Sequence, residues 1–271
     1  YFLILGIALL GMMGASLLSP VLPTLMEAFG VSEDRVGQVL AVHTLLTALS
    51  MPFLGPLIDK FGRKRVVVPC LMINGIAGAL GAFAPNFTVL LLIRAVQGIG
   101  IAGLMPVAMT LIRDFFEGPL KVRAMGYLSS TMAISGVVAP MIGGNLAMLN
   151  WRFAFFFYLI SVPLALAILF WMPETGEHRD VSLRISLTNY KEIIKNKSFQ
   201  VLAVGNFIGN FIIFSVITFL PLHLSLNLGL SEGITGTIIA VQALALALTA
   251  SRGKDITLRF GVSRVMIGGL I

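Results

Sequence analysis

Very few residues in this chain are equipped for chemistry, and they stand out because they interrupt long apolar runs. Arg94 and Gln97 lie three apart in "RAVQGIGIAGLMP", on one face of a helix. Arg94 is about six residues inside its run, roughly 9 Å deep at about 1.5 Å per residue. A charge at that depth costs about 2.5–3.5 kcal/mol or more. Arg94 is therefore expected to face a polar cavity and, with Gln97, to line a path for a solute; the other reading is that it snorkels to the surface. His43, inside the second apolar run, titrates near neutral pH when unperturbed and reads either as a proton carrier or as a satisfied packing residue. Glu27 closes the first run and Asp34 opens the second; each is a candidate proton carrier or a helix-end charge.

What the chain lacks narrows the chemistry further. There is no cluster of His, Asp and Glu at metal-ligand spacing, no activated nucleophile and no phosphate-binding loop. Its one cysteine, Cys70, is inside an apolar run, which leaves no disulfide framework. An enzyme is not expected, nor a cofactor or a metal.

The elements that position these residues follow from composition. Of 271 residues 57% are hydrophobic and 11% charged, against about a quarter charged in soluble domains. Runs of about 20 apolar residues cross a hydrocarbon layer of roughly 30 Å. The runs predict helices at 2–28, 36–58, 66–84, 88–112, 124–147, 152–172, 199–226 and 233–251, with a ninth starting near 264. The expected class is an all-α integral membrane protein.

The net charge of +7 does not imply a nucleic-acid partner, because the basic residues alternate sides. Connections after spans two, four, six and eight carry sixteen of the nineteen Lys and Arg, among them Lys60, Arg63, Lys64, Arg65, Arg113, Lys121 and Arg123; the opposite connections hold only Arg35 and Arg152. The positive-inside rule places the basic loops and the N-terminus in the cytoplasm. The first span carries no cleavage pattern. The chain starts at Tyr1 within one apolar run and stops at Ile271 a few residues into another, so the expectation is a fragment.

Sliding the chain along itself by 199 residues places "GVSEDRVGQVLAV" from Gly30 on "GLSEGITGTIIAV" from Gly229, with six of thirteen positions identical. The same offset pairs Phe61, Gly62, Arg65 and Val66 with Phe260, Gly261, Arg264 and Val265, and His43 with Gln242. Six spans separate the copies, so they run parallel. The expected organisation is a six-helix half at 1–172, a cytoplasmic linker at 173–198 and a partial second half at 199–271. Parallel halves of this kind belong to transporters that bind substrate near the midplane.

Between spans two and three, "GPLIDKFGRKR" (Gly55 to Arg65) resembles the signature loop of the major facilitator superfamily. Gly55 and Gly62 would allow close backbone approach and a tight turn, Asp59 would accept hydrogen bonds at a helix N-terminus, and Arg63 would pair with carboxylates. The resemblance implies that Asp59 and Arg63 latch the cytoplasmic side, with Asp114 a further partner or a solvated acid. Span four resembles the same family's motif of Arg, Gln and small residues, carried by Arg94 and Gln97.

Span five, "GYLSSTMAISGVVAPMIGG", resembles the antiporter motif of drug-efflux members through Gly126, Pro140, Gly143 and Gly144. Ser135 and Ala139 replace two expected glycines and keep the small size that close packing requires. "SPVLPTL" and "WMPET" are similar to the twelve-span drug:proton antiporter branch. That branch implies proton-coupled export of small apolar or cationic compounds; the alternative in the same fold is a transporter of one metabolite, such as a sugar or siderophore. The implied partners are a small-molecule substrate, protons and the lipid bilayer, with the chain a monomer in the plasma (inner) membrane.

In this family the first and fourth helices of each half are implied to line the cavity. They offer Met12, Met13 and Ser16 on span one, and Asn206, Phe207, Asn210, Phe211 and Phe214 on span seven. Methionine and aromatic faces suit greasy, varied ligands, and equally suit lipid. The second signature loop has Leu258 and Val262 in place of Asp59 and Arg63, with Asp255 nearby as a substitute.

Overall fold

A computed structural model of the chain describes residues 1–175 and 195–251. Among these residues the structure is all helical, without a strand. Seven helices are long and apolar enough to cross a membrane. They are α1 (Phe2–Phe29), α2 (Glu33–Phe61), α3 (Arg63–Phe83), α4 (Phe87–Phe115), α5 (Gly118–Leu149), α6 (Trp151–Trp171) and α7 (Lys197–Leu226). The eighth predicted span is the helix α8 (Glu232–Ser251). The ninth, most of the linker and the second signature loop with Asp255, Leu258 and Val262 lie outside the described residues.

The helices run past the predicted spans, most visibly where α5 starts at Gly118 instead of 124. Backbone hydrogen bonds continue through polar residues beyond the hydrocarbon edge, which apolar runs do not mark. The ends are set by local chemistry. Asn86 caps α4 by accepting from Val89 N at 2.9 Å, and Asn150 caps α6 by accepting from Arg152 N at 3.0 Å. Gly30 ends α1 at φ 60°, the left-handed conformation that favours glycine.

α1 is interrupted. Its α-helical hydrogen bonding stops at Ser16, passes a 3-10 turn at Ser19–Val21 and resumes at Leu22–Phe29. Pro20 and Pro23 supply no N–H to that ladder. The interruption leaves the Leu17 carbonyl against Gly143 of α5, in space that a Cβ would occupy.

Two sets of contacts build the molecule. In the first, α1 to α6 surround a fully buried core that includes Ile7, Leu17, Leu71, Leu90, Leu111, Phe155 and Ile168, while Phe170 and Trp171 are left outward at 75% and 78% exposure. Lipid tails are as apolar as such side chains, so close packing of small groups, not burial from water, holds membrane helices together. In the second, α8 lies along α5. A Cβ at Gly144 would overlap the Glu232 carbonyl oxygen, and one at Gly236 would overlap that of Pro140.

Those contacts gather at the end of the bundle away from the basic α2–α3 loop. There Ser19 Oγ donates to the Ile217 carbonyl of α7, and Thr24 Oγ1 donates to Glu232 Oε1 of α8 at 2.6 Å. This end of the junction between α1–α6 and α7–α8 is closed by backbone-to-backbone packing and two polar contacts.

Candidate functional site

The described residues hold three polar constructions: a buried knot inside α1–α6, a cavity between α1–α6 and α7–α8, and an ion-pair cluster at the basic loop.

Arg94 is completely buried and every hydrogen bond it makes is internal. Its Nε donates to the Val39 carbonyl at 3.2 Å, one Nη to Gln97 Oε1 and the other to the Gly14 carbonyl at 2.9 Å. Tyr158 Oη also donates to Gly14 O at 2.8 Å, and the guanidinium lies 5.9 Å from the centre of that ring. Gln97 Nε2 donates to Asn74 Oδ1 at 3.1 Å, and Asn74 Nδ2 to Ser161 Oγ at 2.9 Å. One chain of hydrogen bonds therefore ties α1, α2, α3, α4 and α6 together. Among the described residues no carboxylate pairs with Arg94; carbonyl and amide dipoles solvate its charge. The expectation that Arg94 and Gln97 line a cavity is corrected here: both are 0% exposed and neither reaches the cavity wall. The other reading, snorkelling to the surface, is absent too.

His43 is buried beside this knot, and its Nε2 has no hydrogen-bond partner among the described residues. It packs against Gly14, where an added Cβ would stand 2.7 Å from His43 Cε1. Glu27 and Asp34 are exposed at the closed end of the bundle, away from both knot and cavity.

The cavity has a volume of about 780 Å³, within the range of drug-sized clefts. Its wall takes Met12, Ser16 and Thr44 from α1 and α2, then Met132, Gly136 and Pro140 from α5. The facing wall takes Phe207, Asn210, Phe211 and Phe214 from α7 and Gln242 from α8. Phe207 and Phe211 stack at 6.2 Å and 25°. Two expected lining residues are elsewhere. Met13 is 2% exposed in the core, since adjacent helical residues point about 100° apart, and Asn206 is not on the wall but accepts from Asn210 Nδ2 through its carbonyl at 2.9 Å.

The span-five residues divide along α5. Ser135 and Ala139 are fully buried, and Ser135 Oγ donates to the Thr131 carbonyl at 2.8 Å. Pro140 lines the cavity, and Gly143 and Gly144 make the backbone contacts that close one end of it. Gly126 has nothing within 4 Å of where a Cβ would sit among the described residues.

At the basic loop, Arg63 Nε lies 2.9 Å from Asp114 Oδ2, while its Nη2 lies 3.9 Å from Asp59 Oδ1. The Nε–H is not aimed at the oxygen, so the nearer contact is an ion pair more than a hydrogen bond. The Asp59 side chain is 51% exposed, against 23% for Asp114. The helix N-terminus there is capped by a residue whose role the sequence did not disclose: Glu174 accepts from Lys64 N at 3.0 Å and from Arg65 N at 3.2 Å. Asp59 does not hold that position. Gly62 takes φ 93°, and a Cβ on it would stand 2.5 Å from Glu174 Oε1; Gly55 has nothing within 4 Å among the described residues. Glu174 lies in "WMPET", and Asn74, the other overlooked member, was visible as an amide inside an apolar span.

The structure is thus a bundle of membrane-length helices with a cavity between two packed sets. The family model described as Major Facilitator Superfamily matches residues 4–271, and the chain belongs to that superfamily. It is 36% identical over 146 residues to a bacillibactin exporter of Bacillus subtilis (strain 168), covering 51% of this chain and 36% of that protein. It is 34% identical over 181 residues to the class B tetracycline resistance protein of Escherichia coli, covering 65% and 45%. Multidrug resistance protein D of Escherichia coli (strain K12) is 30% identical over 206 residues, covering 73% and 52%. The matched part is thus about a third to a half of these relatives' lengths. Among solved structures, a bacterial homologue of the human lysosomal transporter Spinster, inward-facing and unoccupied, superimposes with a TM-score of 0.79 at 19% identity, covering 97% of this chain and 62% of that one. A D-xylose–proton symporter gives 0.69 at 16%, covering 95% and 69%. These two likenesses concern the fold.

Proposed function

We propose that this chain is part of a proton-coupled exporter of small, mostly apolar compounds that works by alternating access. The observation that carries the reading is the cavity, walled by α1, α2 and α5 on one side and α7 and α8 on the other, and closed at one end by Gly143, Gly144 and Gly236. In this reading residues 1–172 and 199–271 are the moving halves joined by the linker 173–198, in a monomer with no enzymatic activity. The basic end and the N-terminus face the cytoplasm across the inner membrane. The cavity then receives substrate from the cytoplasm, and the closed end opens in the next state. The Arg63 cluster closes the basic end in that state.

Export of unrelated compounds is supported by relatives named for multidrug and tetracycline resistance. The bacillibactin exporter supports a second reading, export of one siderophore-like metabolite. Of the described residues His43, whose buried Nε2 has no hydrogen-bond partner among them, is the group proposed to carry the proton. Arg94 and Gln97 act on the path indirectly, by holding α1 with Met12 and Ser16 turned to the cavity.

The test uses the gene from its own start to its own stop codon, in cells lacking their main efflux pumps. Release of a preloaded dye that a protonophore stops is the expected result. No release, from protein shown to be in the membrane, overturns multidrug export. Release that ignores the protonophore overturns proton coupling.

A further inference from the structure

We infer that the cavity selects flat aromatic compounds bearing a hydrogen-bond donor, read by the side-chain oxygen of Gln242. The inference rests on the export reading and adds the chemistry of the substrate. Phe207, Phe211 and Phe214 recur at helical spacing on α7, and the first two stack 6.2 Å apart. Flat aromatic rings gain most against such a surface, through offset stacking or edge contacts.

The polar groups around this surface are unevenly spent. Ser16 Oγ donates to the Met12 carbonyl at 3.2 Å, and Asn210 Nδ2 donates to the carbonyl and the side-chain oxygen of Asn206. Both donors are consumed within their own helices. The acceptors remain open: Asn210 on the wall keeps its own Oδ1, and Gln242 Oε1 is buried without a hydrogen-bond partner among the described residues. The Thr44 hydroxyl is able to donate or accept.

A buried unpaired carbonyl is costly, and its recovery on binding a donor is a source of specificity that a greasy wall cannot supply. The last torsion of a glutamine is soft, so the carboxamide turns toward a ligand at little cost. Phenols, indoles and aromatic amides carry the required group; their O-methyl or N-methyl counterparts keep the ring and lose the donor.

The experiment compares 1-hydroxypyrene with 1-methoxypyrene, two uncharged fluorescent probes, by titration against the purified full-length protein. The wild type is expected to bind the hydroxyl compound about tenfold more tightly. Gln242→Leu is expected to bind both equally. Gln242→Met is a second neutral replacement with the same expected result. Equal affinities in the wild type, or a preference that survives both substitutions, overturns the inference. Binding of neither pyrene by a protein that still exports a dye overturns it as well and leaves the export reading standing. Hydroxyl-selective binding lost in the Gln242 variants, by a protein that exports nothing, sustains the selectivity and overturns export.

Discussion

The two faces of α1 put polar groups to opposite uses. On one face Gly14 offers its carbonyl to Arg94 and Tyr158, and the network continues through Gln97 and Asn74 to Ser161. On the other, Met12 and Ser16 border a cavity where Gln242 Oε1 has no partner among the described residues. A satisfied buried network fixes one arrangement of helices, whereas an unsatisfied one leaves free energy for a ligand to recover. Arg94 and Gln242 both lie within apolar helices, and what differs between them is the completeness of their hydrogen bonding.

The most severe way to break the comparison is at the knot. Arg94→Ala leaves the Val39 carbonyl and Gln97 Oε1 short of a donor and the Gly14 carbonyl with Tyr158 alone, and is expected to cost about 1–3 kcal/mol for each buried acceptor left unsatisfied, read as loss of folded protein in a thermal unfolding assay. Arg113→Ala, at an exposed position, is expected within about 0.5 kcal/mol of the wild type. Equal effects would mean that burial of the charge is not what matters.

A milder change is Gly144→Val, which inserts side-chain atoms into space held by the Glu232 carbonyl. Overpacking costs about 1–3 kcal/mol, and here it falls on the closed state, so export is expected to drop while the amount of protein in the membrane holds. Undiminished export would show that this closure plays no part in the cycle.

Thr24→Val removes one hydrogen bond from the closed end, worth about 1 kcal/mol. Val21→Cys on a Cys70→Ser background reports on it, since Val21 is fully buried. Labelling by a membrane-impermeant thiol reagent is expected to speed up about fivefold when Thr24→Val is added. An unchanged rate would assign the closure to backbone packing alone.

Near the basic loop, Glu174→Gln keeps the shape of the α3 cap but removes its charge, for a loss of roughly 0.5 kcal/mol and a small fall in melting temperature. Asp59→Asn is expected to cut export without a fall in melting temperature, because its carboxylate is half exposed and 3.9 Å from Arg63. Export at the wild-type level would remove Asp59 from the gate. At the other extreme from the knot, Phe211→Ala is expected to leave stability within about 0.5 kcal/mol, since the ring is 63% exposed, and to change only which compounds bind.

Apolar runs were enough to read the helical class and eight of the helices, and the family was read from the resemblance of "GPLIDKFGRKR" to its signature loop. A span needs only about 20 apolar residues and its own backbone hydrogen bonds, information that is local to each segment. The faces those helices present were not local. Arg94 looked like a cavity residue because a deep charge demands polar company, but that company came from Gly14, Val39 and Tyr158, residues as far as 80 positions away. Met13 and Met12 are neighbours in sequence and point to the core and to the cavity. Glu174 reached the α2–α3 loop across 110 residues. Membrane insertion is written in the composition of each segment, whereas hydrogen-bond satisfaction is decided between segments, and only the folded arrangement brings the partners within 3 Å of one another.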